Sequence, residues 1–214
     1  MDALSMRLHP GLIPDGSRNW RQRQHSPHLR QGSIDAAAGP LCTYMAMIVL
    51  GLASKDQVKS LRHGSDYRFG KTWIKSLDTF FLGASADDLL ELLAALDSYL
   101  IAEAAIGPTR VTLEFAQRRL ARNELVILGL GQETRYGEHW VLAVGTAAVL
   151  MHGKRSTTGL LCLDPAEPAP WVAQFNARLS LDSPRRGARY LHYAVPNAIQ
   201  SVNCSTAIAL SLRR

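Results

Sequence analysis

The chain has 214 residues, 47% of them hydrophobic and 20% charged, with a formal net charge of +6 at pH 7. That length and apolar content suit one globular domain with a substantial core. The arginines are scattered rather than clustered with aromatic residues, which argues against nucleic-acid binding, and the positive balance leaves only a mild preference for acidic partners.

Residues 1–30 carry Pro10, Pro14 and Pro27, Gly11 and Gly16, and Arg18, Arg21, Arg23 and Arg30. No helical or strand period survives that punctuation, so the segment reads as an irregular leader preceding a single domain over 31–214. A pro-segment that blocks a groove is the sharper alternative. His25 and His28 have no third ligand nearby and are expected to be solvent-exposed. The stretch Gln31 to Leu52 then turns through Gly39-Pro40 into an apolar run. Leu41, Tyr44, Met45, Ile48 and Leu52 recur at helical spacing and predict one buried face. The loop before it delivers position 38 to the N-terminus of a buried helix, where unpaired N–H groups and the dipole favour negative charge.

Ser54-Lys55-Asp56-Gln57 has capping-box spacing and predicts a short helix to about Arg62, ended by His63-Gly64. Lys71 to Leu82 places Trp73, Leu77, Phe80 and Phe81 near helical spacing, read as core packing or as a groove wall. Ser85 is an expected N-cap with Asp87 and Asp88 in the first turn, and Leu89, Leu92, Leu93, Leu96 and Leu100 form the buried stripe behind it. Gly107-Pro108 breaks that run, and a last helix is expected from Thr112 to Arg122. From Glu124 the pattern becomes β-prone: strands are expected at Leu125–Leu128, Trp140–Val144, Ala147–Met151, Leu160–Leu163 and Arg189–Val195, separated by turn residues. Ser201 to Leu212 reads as an edge strand or a short docked helix. Helices first and antiparallel strands afterwards predict an α+β fold, an N-terminal helical half packed on a C-terminal antiparallel sheet.

Cys42, Cys162 and Cys204 are an odd, widely spaced set with no zinc-like motif, so neither a disulfide framework nor a metal site is expected. A reducing compartment follows. No apolar run reaches membrane-spanning length and no signal-peptide core opens the chain. The expectation is a protein that is cytoplasmic where it is made; delivery into another cell would leave no trace visible to these rules. The oligomeric state is left open.

Three motifs carry chemistry in order: the Gln31…Ala38-Gly39-Pro40 helix start, Glu138-His139-Trp140-Val141 opening an apolar strand, and Leu163-Asp164-Pro165 ending another. Together, over residues 31 to 165, they resemble the papain-like cysteine peptidases, in particular the branch related to bacteriocin-processing (C39-like) peptidases. In that branch a Gln precedes a Cys-Gly-Pro helix start, and HWV and a strand-ending DP follow. The resemblance implies a papain-like fold and a thiol acyl-enzyme route on a protein or peptide substrate, without metal or cofactor. His139 would be the base, Asp164 its orienting group, and Gln31 the side-chain donor to the oxyanion. Asp164 stands where the papain pattern more often has Asn, and the gap from Gln31 to position 38 is slightly longer than in several members.

Ala38 departs from the pattern, because it occupies the nucleophile position. Either the chain is a natural pseudoenzyme that binds peptides, or the nucleophile lies elsewhere, or Ala38 is an inactivating Cys→Ala change. The retention of His139 and Asp164 favours the last. Cys42, one turn into the helix, reads as a core thiol, and Cys162 shares a strand face with Asp164 without a reason to be reactive. The same triad chemistry also serves a protein glutamine deamidase or an acyltransferase acting as a bacterial effector, since the groove rather than the triad selects the substrate.

Overall fold

A computed structural model describes residues 3–12, 26–33, 35–61, 69–132, 137–151, 154–171, 173–181 and 190–213. The strands are β1 (Ala3–Leu8), β2 (Leu100–Ile106), β3 (Leu125–Gln132), β4 (Glu138–Met151), β5 (Lys154–Leu163), β6 (Ala177–Ser180), β7 (Leu191–Val195) and β8 (Ala198–Leu212). The helices are α1 (Ala38–Val49), α2 (Lys55–Ser60), α3 (Gly70–Leu77), α4 (Thr79–Leu82), α5 (Ala86–Ala94) and α6 (Thr109–Ala121). All strand pairings are antiparallel. The path β4-β3-β8-β7-β6-β5 returns to β4 through its pairing with β5, so six strands close into a barrel. β1 is added to β4 and β2 to β8 outside that ring.

This corrects the expected α+β, papain-like fold with an N-terminal helical half packed on a C-terminal antiparallel sheet. The sheet is not an open layer with a helical half laid on it; it is a closed barrel carrying two extra strands and several short helices. The pattern of burial shows that β4 needs cover on both faces, which the closed ring and the helices outside it supply. Along β4 both alternating sets are buried, Trp140, Leu142 and Val144 on one face and Val141 and Ala143 on the other. A strand solvated on one face would alternate apolar with polar; one apolar on both needs cover on both. The inward set joins Val126, Leu128, Leu160, Cys162, Leu179, Tyr193, Val202 and Ala207 in one cluster, to which α6 adds Leu113, Ala116 and Leu120. The outward set packs under α1 and α5 with Met45, Leu89, Leu93 and Ile127.

Several local expectations take a different form. Residues 3–8, inside the segment read as an irregular leader, form β1, and Gly145 lies close enough to Arg7 that a Cβ there would sit 2.3 Å from the Arg7 carbonyl oxygen. The expected strands at 140–144 and 147–151 are a single strand of 14 residues. Leu100, read as the end of a helical stripe, opens β2, and Ala177–Ser180 is a strand that had shown no signal. The tail is neither an edge strand nor a helix, because β8 pairs with β3 and β7 and also carries β2. α1 is buried on nearly every side rather than one face, held between the barrel and α4 and α5. Both capping boxes form, Ser54 with Gln57 and Ser85 with Asp88. Trp73 and Phe80 meet edge to face at 5.7 Å, whereas Leu77 and Phe81 are exposed rather than core residues. Among the described residues, no helix is long and apolar enough to cross a membrane. The expected turns at His63-Gly64 and Ser183–Gly187 lie outside the described residues, as does His25.

The central position of β8 generates a test. Ile208 is fully buried and pairs with Ile127 across the strand. Ile208→Ala is expected to lower stability by about 2–5 kcal/mol in denaturant unfolding, the range for buried large-to-small changes. A surface strand would lose far less.

Candidate functional site: a His–Asp pair beside a cleft

The β4–β5 hairpin sets the site. Its register, Met151 opposite Lys154 at the turn and Leu142 opposite Leu163 at the far end, survives two irregularities because one lies on each strand and they cancel. Continuing it puts Asp164 opposite Val141, with His139 two residues further along the same face. These are diagonal neighbours, within reach of long side chains. His139 Nε2 donates to Asp164 Oδ1 at 2.8 Å. With that nitrogen carrying the proton, Nδ1 is the imidazole position left with a lone pair.

Asp164 is 2% exposed and every oxygen it has is held. Oδ1 also accepts from the Ala166 N–H at 2.8 Å, and Oδ2 accepts from the Tyr193 hydroxyl at 2.7 Å. Its main-chain carbonyl accepts from His28 Nε2 at 2.8 Å and from Asn176 Nδ2 at 2.9 Å, while its N–H donates to Asn176 Oδ1 at 2.7 Å. Burial by itself pushes this carboxyl up. The hydrogen bond and charge of His139, with the Tyr193 and Ala166 donations, outweigh burial and hold it below its ordinary value.

His28 is therefore not the exposed side chain expected from its leader. It is buried, burial lowers its pKa, and its ring supports the Asp164 main chain. The segment 26–31 is stapled at three further points: Lys55 Nζ donates to the Ser26 and His28 carbonyls, and Gln31 N–H donates to the Pro165 carbonyl at 2.7 Å. Proline and arginine content hid this role, because the contacts are made mainly by main-chain atoms that any sequence supplies.

A cleft of about 640 Å³ lies beside the pair, lined among others by Gln31, Asp35, Ala38, Leu82, Asp88 and His139. Ala38 is the first residue of α1 and is buried; its neighbour Ala37 at the N-cap offers no side-chain hydrogen bond to the helix end. Gly39 packs closely there, since a Cβ would sit 2.8 Å from Leu89 Cδ2 and 3.3 Å from Trp140 Cδ1. Trp140 faces away from His139 into the core under the helices and donates from Nε1 to the Ala84 carbonyl at 2.7 Å, which fixes the cleft wall between α4 and α5. Gln31 donates from Nε2 to the Asp35 carbonyl at 2.5 Å, and its Oε1 is buried without a partner. The four residues singled out from sequence are thus gathered in one region: Gln31, Ala38 and His139 line the cleft, and Asp164 stands behind His139. Tyr193, His28 and Asn176 were missed. Only an alignment of the strand β7 and the leader against the hairpin in space brings them there.

Cys42, Cys162 and Cys204 are all free and fully buried. Burial pushes each thiol up, that of Cys204 to about 11. None has the partly exposed, electropositive surroundings of a reactive cysteine. No group of three or more His, Cys, Asp or Glu suited to a metal ion occurs among the described residues. Neither the family models nor the curated proteins compared with this chain gave a match.

Two outcomes are expected. The native chain should resist iodoacetamide at neutral pH and take three equivalents only when unfolded, read by intact mass. Asp164, held below the ordinary carboxylate value of 3.8, contributes stability that is complete above that value and disappears as pH falls through its lower folded pKa. The urea midpoints of the chain and of Asp164→Asn should therefore differ most near pH 6 and converge in the acid range below about pH 4.

Proposed function

We propose that the cleft is the amide-cleaving site of a cysteine-peptidase type of hydrolase in which alanine occupies the nucleophile position. The observation that carries this reading is the His139–Asp164 bond beside a cleft that Ala38, the first residue of α1, also lines. A thiol at position 38 would sit at a helix N-terminus, where a thiolate is favoured. Its attack on a substrate carbonyl would pass the thiol proton to His139 Nδ1. That proton would then go to the leaving amine as the thioester forms, and a water molecule deprotonated by the same imidazole would release the acid. Asp164 holds the imidazole tautomer throughout. The Gln31 amide keeps one N–H beyond the bond to Asp35, and with the main-chain N–H of residue 38 it would receive the oxyanion.

The substrate in this reading is a protein or peptide amide or isopeptide, and the route uses neither metal nor cofactor. Release of ammonia from a protein glutamine, or transfer of the acyl group to an amine, needs the same groups. The order of the three motifs, which resembles the bacteriocin-processing peptidases, supports the thiol chemistry, and the buried state of the three natural thiols argues against a nucleophile elsewhere. We read Ala38 as an inactivating Cys→Ala change in a protein that works in the cytoplasm where it is made or after delivery into another cell. A natural pseudoenzyme that binds peptides is the second reading, favoured by Ala38 itself; an alanine codon at position 38 in the natural gene would decide for it.

The test is Ala38→Cys. The introduced thiol is expected to react with iodoacetamide below about pH 7, well under the range of an ordinary thiol near 8.5, while the chain without it does not. Adding His139→Ala should move the profile up toward an ordinary thiol. Asp164→Ala should slow turnover of a peptide amide more than it slows alkylation, because proton delivery depends most on imidazole orientation. A profile unchanged by His139→Ala would remove His139 from the site.

A further inference from the structure

Tyr193 is a residue the amide-cleaving route above does not use, yet it is built into the site. It lies on β7, fully buried in the barrel interior among Leu, Val, Ala and Cys side chains. Phe would fill that space equally well. A buried hydroxyl in such surroundings is costly unless bonded, and this one donates to Asp164 Oδ2 at 2.7 Å. The two carboxylate oxygens are thereby divided: Oδ2 belongs to Tyr193, and Oδ1 to His139 and the Ala166 N–H. The partition matters because a carboxylate turns readily about its Cβ–Cγ bond, a broad torsion with weak preferences. Held at one oxygen only by His139 and a turn N–H, it could swing and leave the imidazole unoriented. The main chain is anchored separately by His28 and Asn176, so Tyr193 is the side chain that fixes the rotation of the carboxylate itself.

We propose that Tyr193 is a positioning residue of the His139–Asp164 pair, its hydroxyl locking Asp164 Oδ2 so that Oδ1 stays charged and turned toward His139. The lock comes from the far side of the barrel. β7 is not hydrogen-bonded to β4 or β5 but reaches β5 only through β6, so the hydroxyl couples the site to closure of the ring. The effect on turnover rests on the amide-cleaving reading; the effect on the pair does not.

The experiment therefore has two arms. In the first, the downfield imidazole N–H proton of His139 is followed by NMR in the chain with Ala38 unchanged, and assigned by its loss in His139→Gln. On acidification the signal disappears as Asp164 takes a proton. In Tyr193→Phe the carboxylate lacks one donor to its charged form, so the signal should disappear at a pH higher by about half a unit or more. A purely space-filling Tyr193 leaves that pH where it was, which overturns the proposal. Should Tyr193→Phe fail to fold, replacing tyrosine throughout by 3-fluorotyrosine, whose phenol is a stronger donor, should keep the signal to lower pH; no change overturns the proposal equally. In the second arm, Tyr193→Phe is added to Ala38→Cys and a peptide amide is offered. The expected result is a kcat about tenfold lower with KM little changed, the signature of a misplaced base rather than a damaged cleft. An inert Ala38→Cys protein whose NMR signal still responds to Tyr193→Phe removes the amide-cleaving reading and leaves the Tyr193 assignment standing.

Discussion

Pairing of β4 with both β3 and β5 is the constraint on which the rest depends. It closes the ring, and it aligns the start of β4 with the end of β5, so the hairpin that seals the barrel also brings His139 to Asp164. Because both faces of β4 are apolar, the strand cannot sit at a solvated sheet surface; it is stable only with a filled barrel on one side and α1 and α5 on the other. A slip of one residue in this register would exchange Trp140 with His139 between the faces. It would bury an imidazole under α1 and expose a tryptophan to the barrel interior. The two core clusters therefore specify the site geometry through the register, and the interior one also touches the pair through the Tyr193 hydroxyl.

The charge on Asp164 is the second constraint. A carboxylate out of water is costly unless hydrogen-bonded, and here four segments distant in sequence converge on one residue: 26–31, β4, the turn around Asn176, and β7. Such a residue makes the local structure all-or-none. β4 and β7 hold its carboxylate while segment 26–31 and Asn176 hold its main chain, so the barrel end, that segment and the His strand are coupled through one residue. The same burial that demands these donors pushes the neighbouring thiols of Cys42 and Cys162 up.

Local signals were legible where the physics is local. Ser54 and Ser85 sit three residues before Gln57 and Asp88, and both reciprocal caps form, because a capping box needs nothing outside four consecutive residues. Gly39-Pro40 marked the start of α1 within a residue. The aromatic run after Lys71 reads from spacing as core or groove wall, yet Phe81 is turned to solvent, since spacing shows which residues share a face and not whether a neighbour covers it. Strand β6 was invisible, as four residues carry too little pattern. Leu100 was assigned to the preceding helix because an apolar residue at the end of a leucine stripe reads the same whether the helix continues or a strand begins.

By itself the sequence determined the caps of α2 and α5 at Ser54 and Ser85, the start of α1 at Gly39-Pro40, and the β patterning that follows Glu124. Residue type and short spacing carry all of these. Tertiary structure alone decided that the sheet closes, that β8 lies within it rather than at its edge, and that His28, Asn176 and Tyr193 meet Asp164. Closure depends on which strand edges find one another, and apolar alternation is identical for a strand in an open sheet and one in a barrel. Likewise, a tyrosine in an apolar strand does not announce an acceptor 29 residues away; only the curvature of the ring brings the two within a hydrogen bond.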